Sequence, residues 1–333
     1  MNYPKISVMV PTFNRSKYLK ECLDSILIQN YPNFEVIVSD NCSNDSTKVL
    51  MENYLSDNRV RYYRNEVNIG PIPNWKNLLY KYATGEYGKL ICDDDYLIDN
   101  EHLKKSIDLI LKENLEIVIS GSLGRIEDEK GLIKEFAIDP DIPEITDVDW
   151  WLENGGKKVK GIYLFLNFND GAVFSIKRAK ELNAFMPDAF GLDYEILSRF
   201  VLSGRVGYLR GHHFVARAHP NNDGSSENFE KAFSGLEMFN RIYEFGLKLD
   251  LPESKLLKYK RRNIVVFSVI FLMDKWFLSK GISVKSIFDF KKLLSKYDKH
   301  VFLSVMTSSS TISSIIRNKN MKLYKFLKSA LKK

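Results

Sequence analysis

Residues 5–15 read KISVMVPTFNR and residues 35–45 read EVIVSDNCSND, and the architecture follows from these two stretches. Each is a short β-branched run that gives way at its C-terminal end to turn-forming polar residues, the mark of a strand entering a loop. Between them, Lys17–Gln29 places Leu19, Cys22, Leu23, Ile26 and Leu27 on one face of a helix, with Ser16 positioned to cap it. Strand, amphipathic helix, strand in that order predicts a parallel pair joined by a helical crossover. Working outward, strands are expected at Ile6–Val10, Glu35–Ser39, Val60–Tyr63, Lys89–Cys92 and Ile117–Ser120. The first 120 residues therefore read as α/β, a mostly parallel sheet flanked by helices, with ligands bound beyond the C-terminal strand ends.

Further along, residues 121–165 are mixed. Asp/Pro-rich Ile138–Asp149, then Trp150-Trp151 and Gly155-Gly156, read as an irregular excursion from the sheet. Strand signals return at Ala172–Ile176, Val206–Leu209 and His213–Ala216, with a helix around Tyr194–Leu202, and the chain from Ser226 onward reads as helical.

Of the 333 residues, 44% are hydrophobic, enough for one large core or a core with a smaller appendage. Met1–Lys5 leads straight into a strand that Pro11 stops, so a signal peptide is not expected and a cytoplasmic location is. Cys22, Cys42 and Cys92 show no CxxC spacing and read as free thiols rather than a zinc site. The net charge of +7 is unevenly placed: residues 255–333 hold 19 Lys and Arg against 3 Asp and Glu, leaving −9 for residues 1–254. A basic rear suits contact with an anionic surface such as a membrane leaflet, or a solvated face. No basic-aromatic platform or zinc spacing supports nucleic acid as the partner.

Pro11, Thr12, Phe13, Asn14 and Arg15 follow the first strand where a dinucleotide-binding protein carries a glycine-rich turn, which counts against a dehydrogenase. Asp40, at the end of the second strand, is placed to accept the ring N–H of a nucleobase or to order its own loop, and Asp45 to cap the next helix. Asp93, Asp94 and Asp95 follow apolar Leu90-Ile91-Cys92. Three adjacent like charges repel, and a divalent cation offsets that cost. Mn2+ or Mg2+ suits best, sharing its shell between carboxylates and phosphate oxygens. A solvated acidic turn is the alternative. Asp193 opens a helix, where the helix N-terminus favours the ionised form that a general base needs, or a first-turn acid that merely stabilises the helix.

These pieces, with Asn68-Ile69-Gly70, Asn74 and Gly191-Leu192-Asp193-Tyr194, resemble in order and context the family-2 glycosyltransferases of bacterial O-antigen, capsule and surface polysaccharide synthesis, over roughly residues 5–220. The resemblance implies the GT-A fold and an inverting transfer from a nucleotide diphosphate sugar, UDP favoured, to a glycan or polyprenyl-linked glycan acceptor. It implies that Pro11–Arg15, Asp40, Asn68, Gly70, Asn74, Asp93 and Asp94 bind the donor. Asp93, Asp95 and His219 then serve the metal, and Asp193 is the base. Two departures stand out. Cys92 occupies the first acidic position of the family's Asp-x-Asp-Asp pattern, so Asp94 or Asp95 contacts the metal, and Leu192 replaces a Glu commonly found before the base. The chain is thus expected to comprise a glycosyltransferase domain over 1–225, with a donor half at 1–120 and an acceptor side at 121–225, and a basic helical segment over 226–333 suited to a membrane surface.

Two rival readings are a catalytically inactive nucleotide- or glycan-binding scaffold at the membrane, against which both acidic positions argue, and a sugar nucleotidyltransferase, whose glycine- and arginine-rich phosphate loop is missing. Ile264–Met273 is shorter than the roughly 20 residues that span a bilayer. In the tail, Leu323, Tyr324, Phe326, Leu327, Ala330 and Leu331 oppose an arc of lysines, which reads as an interfacial helix or one docked on its own domain. Trp150-Trp151 reads as helix core or a sugar-stacking face, and His212-His213 as structural.

Overall fold

The computed structural model describes residues 3–159, 162–163, 171–186, 191–219, 233–272, 276, 280 and 284–307. Two compact units divide the chain: the first comprises Met1–Val148, Leu166–Asp188 and Leu192–Ser225, the second Asp149–Phe165, Ala189–Gly191 and Ser226–Lys333.

In the first unit, β1 (Ile6–Thr12), α1 (Ser16–Leu27), β2 (Phe34–Asp40), α2 (Thr47–Tyr54) and β3 (Val60–Arg64) build the parallel crossover units expected. There follow α3 (Pro71–Asn77) with a π-helical turn Leu78–Tyr82, β4 (Tyr87–Leu90), β5 (Tyr96–Leu97), α4 (His102–Glu113), β6 (Ile117–Asp128), β7 (Gly131–Ile138) and β8 (Ile145–Thr146). The sheet runs β3-β2-β1-β4, then β11 (Val173–Ser175), β6, β12 (Val206–Ala218) and β5, with β7 beside β6 and β8 beside β12. Its β3-β2-β1-β4 half is parallel, and β6 lies parallel to β12, whereas β11 is antiparallel to both neighbours. Every residue of β1 and β2 is buried, as for strands covered on both faces. The face of α1 buries Leu19, Cys22, Leu23 and Ile26 as its spacing predicts, although Ser16 is the first helical residue and Arg15 takes the cap position.

Two expectations are corrected. Residues 121–138 are no irregular excursion: β6 continues to Asp128, turns at Gly131 with φ +115°, and returns as β7 in a hairpin. Gly121, Gly124 and the charged residues from Arg125 onward masked a strand whose partner lies just downstream. The two strands expected at 206–209 and 213–216 are one, because Gly211 at φ +98° absorbs a bulge between Leu209 and Phe214 without ending the ladder with β6. Also in this unit are α6 (Ile176–Glu181) and α7 (Leu192–Val201).

The second unit contains α5 (Val148–Asn154) from Asp149 on, a two-strand ribbon of β9 (Lys158–Val159) and β10 (Ile162–Tyr163), and helices α8 (Glu237–Lys248), α9 (Glu253–Phe267), α10 (Val284–Leu294) and α11 (Val301–Thr307). Residues 149–155 join these helices for a physical reason. Arg262 donates to the carbonyls of Leu152 and Gly155, Lys255 pairs with Asp149 at 2.6 Å, and Gly155 lies so close to the Tyr259 ring that a Cβ would clash. Trp151 is buried core, as its helical spacing suggests. No helix among the described residues is long and apolar enough to cross a membrane. The tail arc beyond residue 307 lies outside the described residues.

Candidate active site

Two loops leave the C-terminal ends of β1 and β2 and are stitched together by their own polar side chains. Asn14, at φ +55°, donates its N–H to Ser43 Oγ (2.9 Å) and accepts from the N–H of Asn44 through Oδ1 (2.7 Å). Asp45 accepts the N–H of Ser16 (2.9 Å) and of Thr47 (3.0 Å), so one carboxylate serves the first turns of both α1 and α2. A cleft of about 390 Å³ opens here, lined by Phe13, Asn14, Arg15, Ser16, Lys17, Tyr18 and Asp45, within the usual size of small-ligand sites. Phe13 stands 41% exposed at its mouth.

Asp40 is fully buried, accepting the Ser43 N–H at Oδ1 (2.8 Å) and the Tyr62 hydroxyl (2.6 Å) and Arg64 guanidinium (2.7 Å) at Oδ2. Asn68, Gly70 and Asn74 form a neighbouring asparagine network. Asn68 Oδ1 accepts from Asn41 and from the Gly70 N–H, and Gly70, at φ +86°, starts α3. Asn74 donates to the Ser39 carbonyl (2.8 Å) and accepts from Ser39 Oγ (2.6 Å) and Asn65 (2.9 Å). These side chains hold the loops at the strand ends in one arrangement.

Directly beyond β4 the three carboxylates separate. Asp93 turns to β1, accepting from Thr12 Oγ1 (2.6 Å) and Arg15 (3.1 Å). Burial pushes its carboxyl above the ordinary range, the Arg15 charge pulls it back, and the charge of Asp94 raises it further. Asp94 meets Arg15 (3.2 Å) and His219 Nε2 (3.1 Å), and Asp95 accepts the backbone N–H of Arg217 (2.7 Å). The ligand atoms of Cys92, Asp94 and Asp95 lie within 4.8 Å of one another. Of the residues expected at the metal, Asp95 thus joins this group, Asp93 faces Thr12 and Arg15, and His219 stands behind Asp94. Asp193 sits in the first turn of α7, half-buried, as its sequence context predicts.

Residues 7–162 match the family model described as glycosyl transferase family 2. The chain carries a family-2 glycosyltransferase domain. It is 35% identical over 117 residues to poly(ribitol-phosphate) beta-N-acetylglucosaminyltransferase TarS of Staphylococcus aureus, which covers 34% of this chain and 20% of that protein. It is 37% identical over 136 residues to GalNAc(5)-diNAcBac-PP-undecaprenol beta-1,3-glucosyltransferase of Campylobacter jejuni, covering 40% of this chain and 42% of that protein. These matches span less than half the length of either relative. The crystal structure of residues 1–349 of TarS in complex with UDP-GlcNAc superposes with a TM-score of 0.66 at 20% identity, covering 98% of this chain and 91% of that one, and shows the GT-A fold here.

Several residues at the acidic turn and in the core behind it escaped the sequence reading. Arg217, its side chain 3% exposed, pairs with Glu21 (2.6 Å) and Glu127 (3.3 Å), and Tyr18 stacks on His219 with ring centroids 4.5 Å apart. The one available signal was that Arg217 and His219 stand two apart at the end of a strand signal, a spacing that puts extended residues on one face. Lys89, wholly buried in β4, lies 3.4 Å from His102 Nε2, and burial holds the His102 imidazole well below its ordinary pKa, with the Lys89 charge adding to the effect. Nothing in the local sequence marks a core lysine. His213, expected to be structural, bonds Asp99 (2.7 Å) and the Arg210 carbonyl (2.9 Å).

The donor set at the acidic turn suits a divalent cation. Two carboxylate oxygens fit Mg2+ or Mn2+.

Proposed function

We propose that this chain transfers a sugar from a UDP-sugar to a hydroxyl of a lipid-linked or oligosaccharide acceptor in bacterial surface polysaccharide synthesis, with inversion at the anomeric carbon. The observation carrying this reading is the convergence of Cys92, Asp94 and Asp95 beyond β4 of a family-2 domain. The uridine donor is supported by a similar fold solved with UDP-GlcNAc, and the acceptor class by relatives named for poly(ribitol-phosphate) and for an undecaprenol-linked glycan.

In this proposal Asp94 and Asp95 hold Mn2+ or Mg2+, with Cys92 beside them. Bound there, the ion neutralises the leaving diphosphate. Thr12 and Arg15 keep Asp93 turned to the ribose side, and the Pro11–Arg15 loop with Phe13 and Asn14 lines the donor cleft. Asp40, fully buried and held by three protein donors, orders the loop of the donor pocket rather than accepting the N–H of the base directly. Asn68, Gly70 and Asn74 fix the wall of that pocket. Asp193 takes the proton of the acceptor hydroxyl as its oxygen bonds to the anomeric carbon and the bond to diphosphate breaks. One displacement suffices, without a covalent enzyme intermediate.

Calorimetric titration of UDP, GDP and CDP in the presence of Mn2+ tests the donor side. UDP is expected to bind, with affinity lost in EDTA and in Asp95→Ala, and Asp94→Ala reveals which carboxylate is the stronger ligand. Undiminished UDP binding and transfer in EDTA would remove the metal from the proposal.

A further inference from the structure

The acidic turn is flanked by a column of stacked rings and guanidinium groups. His219 stacks on Tyr18 at 4.5 Å with planes 20° apart, and the Arg217 guanidinium lies 5.0 Å from the centroid of the same Tyr18 ring. Arg217 is also 4.9 Å from the Tyr96 ring, and Arg125 is 5.8 Å from that ring. The column thus runs His219, Tyr18, Arg217, Tyr96, Arg125, drawing on β12, α1, β5 and β6. Glu21 and Glu127 flank Arg217, and Glu135 lies 3.1 Å from Arg125, so its cations are balanced. Two members of the column contact the acidic turn: the Arg217 backbone N–H holds Asp95 Oδ1, and His219 Nε2 holds Asp94 Oδ2.

We propose that Tyr18 is the positioning residue of the metal site. Resting on the reading of Asp94 and Asp95 as metal ligands, it gives that site a mechanical basis. A strand end such as 217–219, left to itself, frays. One ring from α1 contacts both Arg217, near the end of the β12 ladder, and His219 just beyond the strand, and each in turn orients one carboxylate. Cation–π and stacking contacts of a half-buried ring are sufficient for this, because what they fix is orientation rather than overall stability. The contacts need the ring and not the hydroxyl, so the two substitutions Tyr18→Phe and Tyr18→Leu must separate.

The test is Mn2+ affinity, measured on the full chain without nucleotide by electron paramagnetic resonance of free Mn2+, with thermal melting as a control for folding. Outer residues that orient ligands change metal affinity by roughly 10–100-fold. Tyr18→Leu is expected to weaken Mn2+ binding by at least about 10-fold. Tyr18→Phe is expected to restore affinity to within about twofold of the parent, the ring alone being required. Arg217→Met, which keeps the backbone N–H but removes the cation, is expected to fall between them. Parent-like affinity in Tyr18→Leu overturns the proposal, as does equal loss in Tyr18→Phe. A parent chain that binds no Mn2+ fails the metal reading itself, a result distinct from either.

Discussion

Asp193 has to meet the strictest demand of any single residue here. A sugar hydroxyl is a weak nucleophile at neutral pH, so transfer without an enzyme-bound intermediate requires a carboxylate within hydrogen-bond reach of it. The first turn of α7 favours the ionised form through the partial positive charge of the helix N-terminus. Asp193→Asn preserves size and removes the proton acceptor. Turnover is expected to fall by roughly 10²–10⁴ while donor affinity and melting temperature stay near those of the parent, measured on one preparation. Near-parent turnover with normal donor binding would refute the role and turn attention to Asp170 or Asp188, which lie outside the described residues. At this scale the sequence marked the acidic residues well, because adjacent like charges at a strand end need an outside reason. Which oxygens converge was not legible. That depends on Thr12 and Arg15 drawing Asp93 towards β1, and on Arg217 and His219 arriving from residues more than a hundred positions away.

Elements were legible wherever their period was local. The helix face Leu19, Cys22, Leu23 and Ile26 and the buried runs of β1 and β2 appear where the pattern places them. The β6–β7 hairpin and the bulged β12 were less so, since one depends on a turn glycine and the other on a ladder partner far along the chain. Glu35 shows the same limit. In β2 it is a charged residue only 4% exposed, and it accepts from Ser7 (2.7 Å), Thr84 (2.8 Å) and Arg61 (2.9 Å), tying β1, β3 and the segment before β4 to β2. Burial alone would raise its pKa, but those hydrogen bonds outweigh it and bring the carboxyl down to about 2 from 4.5. A depressed carboxylate contributes stability that is present above its unfolded pKa and lost as pH falls through the folded one. Glu35→Gln is therefore expected to destabilise the chain by up to about 3 kcal/mol at neutral pH. The difference from the parent should close as pH is lowered from 4.5 towards 2. Urea denaturation of both proteins across that range checks this, and a gap that stays constant with pH would show that packing rather than charge is responsible.

Over the whole molecule the uneven charge is the feature least explained by transfer chemistry. Residues 255–333 carry 19 basic against 3 acidic side chains, but much of the basic surface of α9 is already engaged within its own unit. Arg261 pairs with Asp298 (2.7 Å), Arg262 with the carbonyls of Leu152 and Gly155, and Lys255 with Asp149. Among the described residues, exposed lysines cluster in and after α10. Lys285, Lys291, Lys292, Lys296 and Lys299 are exposed there. Phe288, 62% exposed, shares with Lys285 and Lys292 the face that a 100° helical step defines. Lysines around an exposed aromatic ring suit the interface of an anionic bilayer, where each basic side chain contributes about 1 kcal/mol and the ring enters the headgroup layer. The surface of a polyprenyl-linked acceptor would be such a bilayer. Sedimentation with vesicles of mixed phosphatidylserine and phosphatidylcholine is expected to carry down the parent chain, progressively less so as salt is raised. Neutral phosphatidylcholine vesicles are expected to carry down little. Replacing Lys285, Lys291, Lys292 and Lys296 together by Glu should abolish the anionic binding without altering turnover of a water-soluble acceptor, because these residues are remote in sequence from Asp94, Asp95 and Asp193. Unchanged vesicle binding in that variant would show that this face is simply solvated and that the membrane contact, if there is one, is made by another part of the chain. A lost preference for anionic lipid combined with salt-dependent binding to DNA would instead assign the charge to nucleic acid.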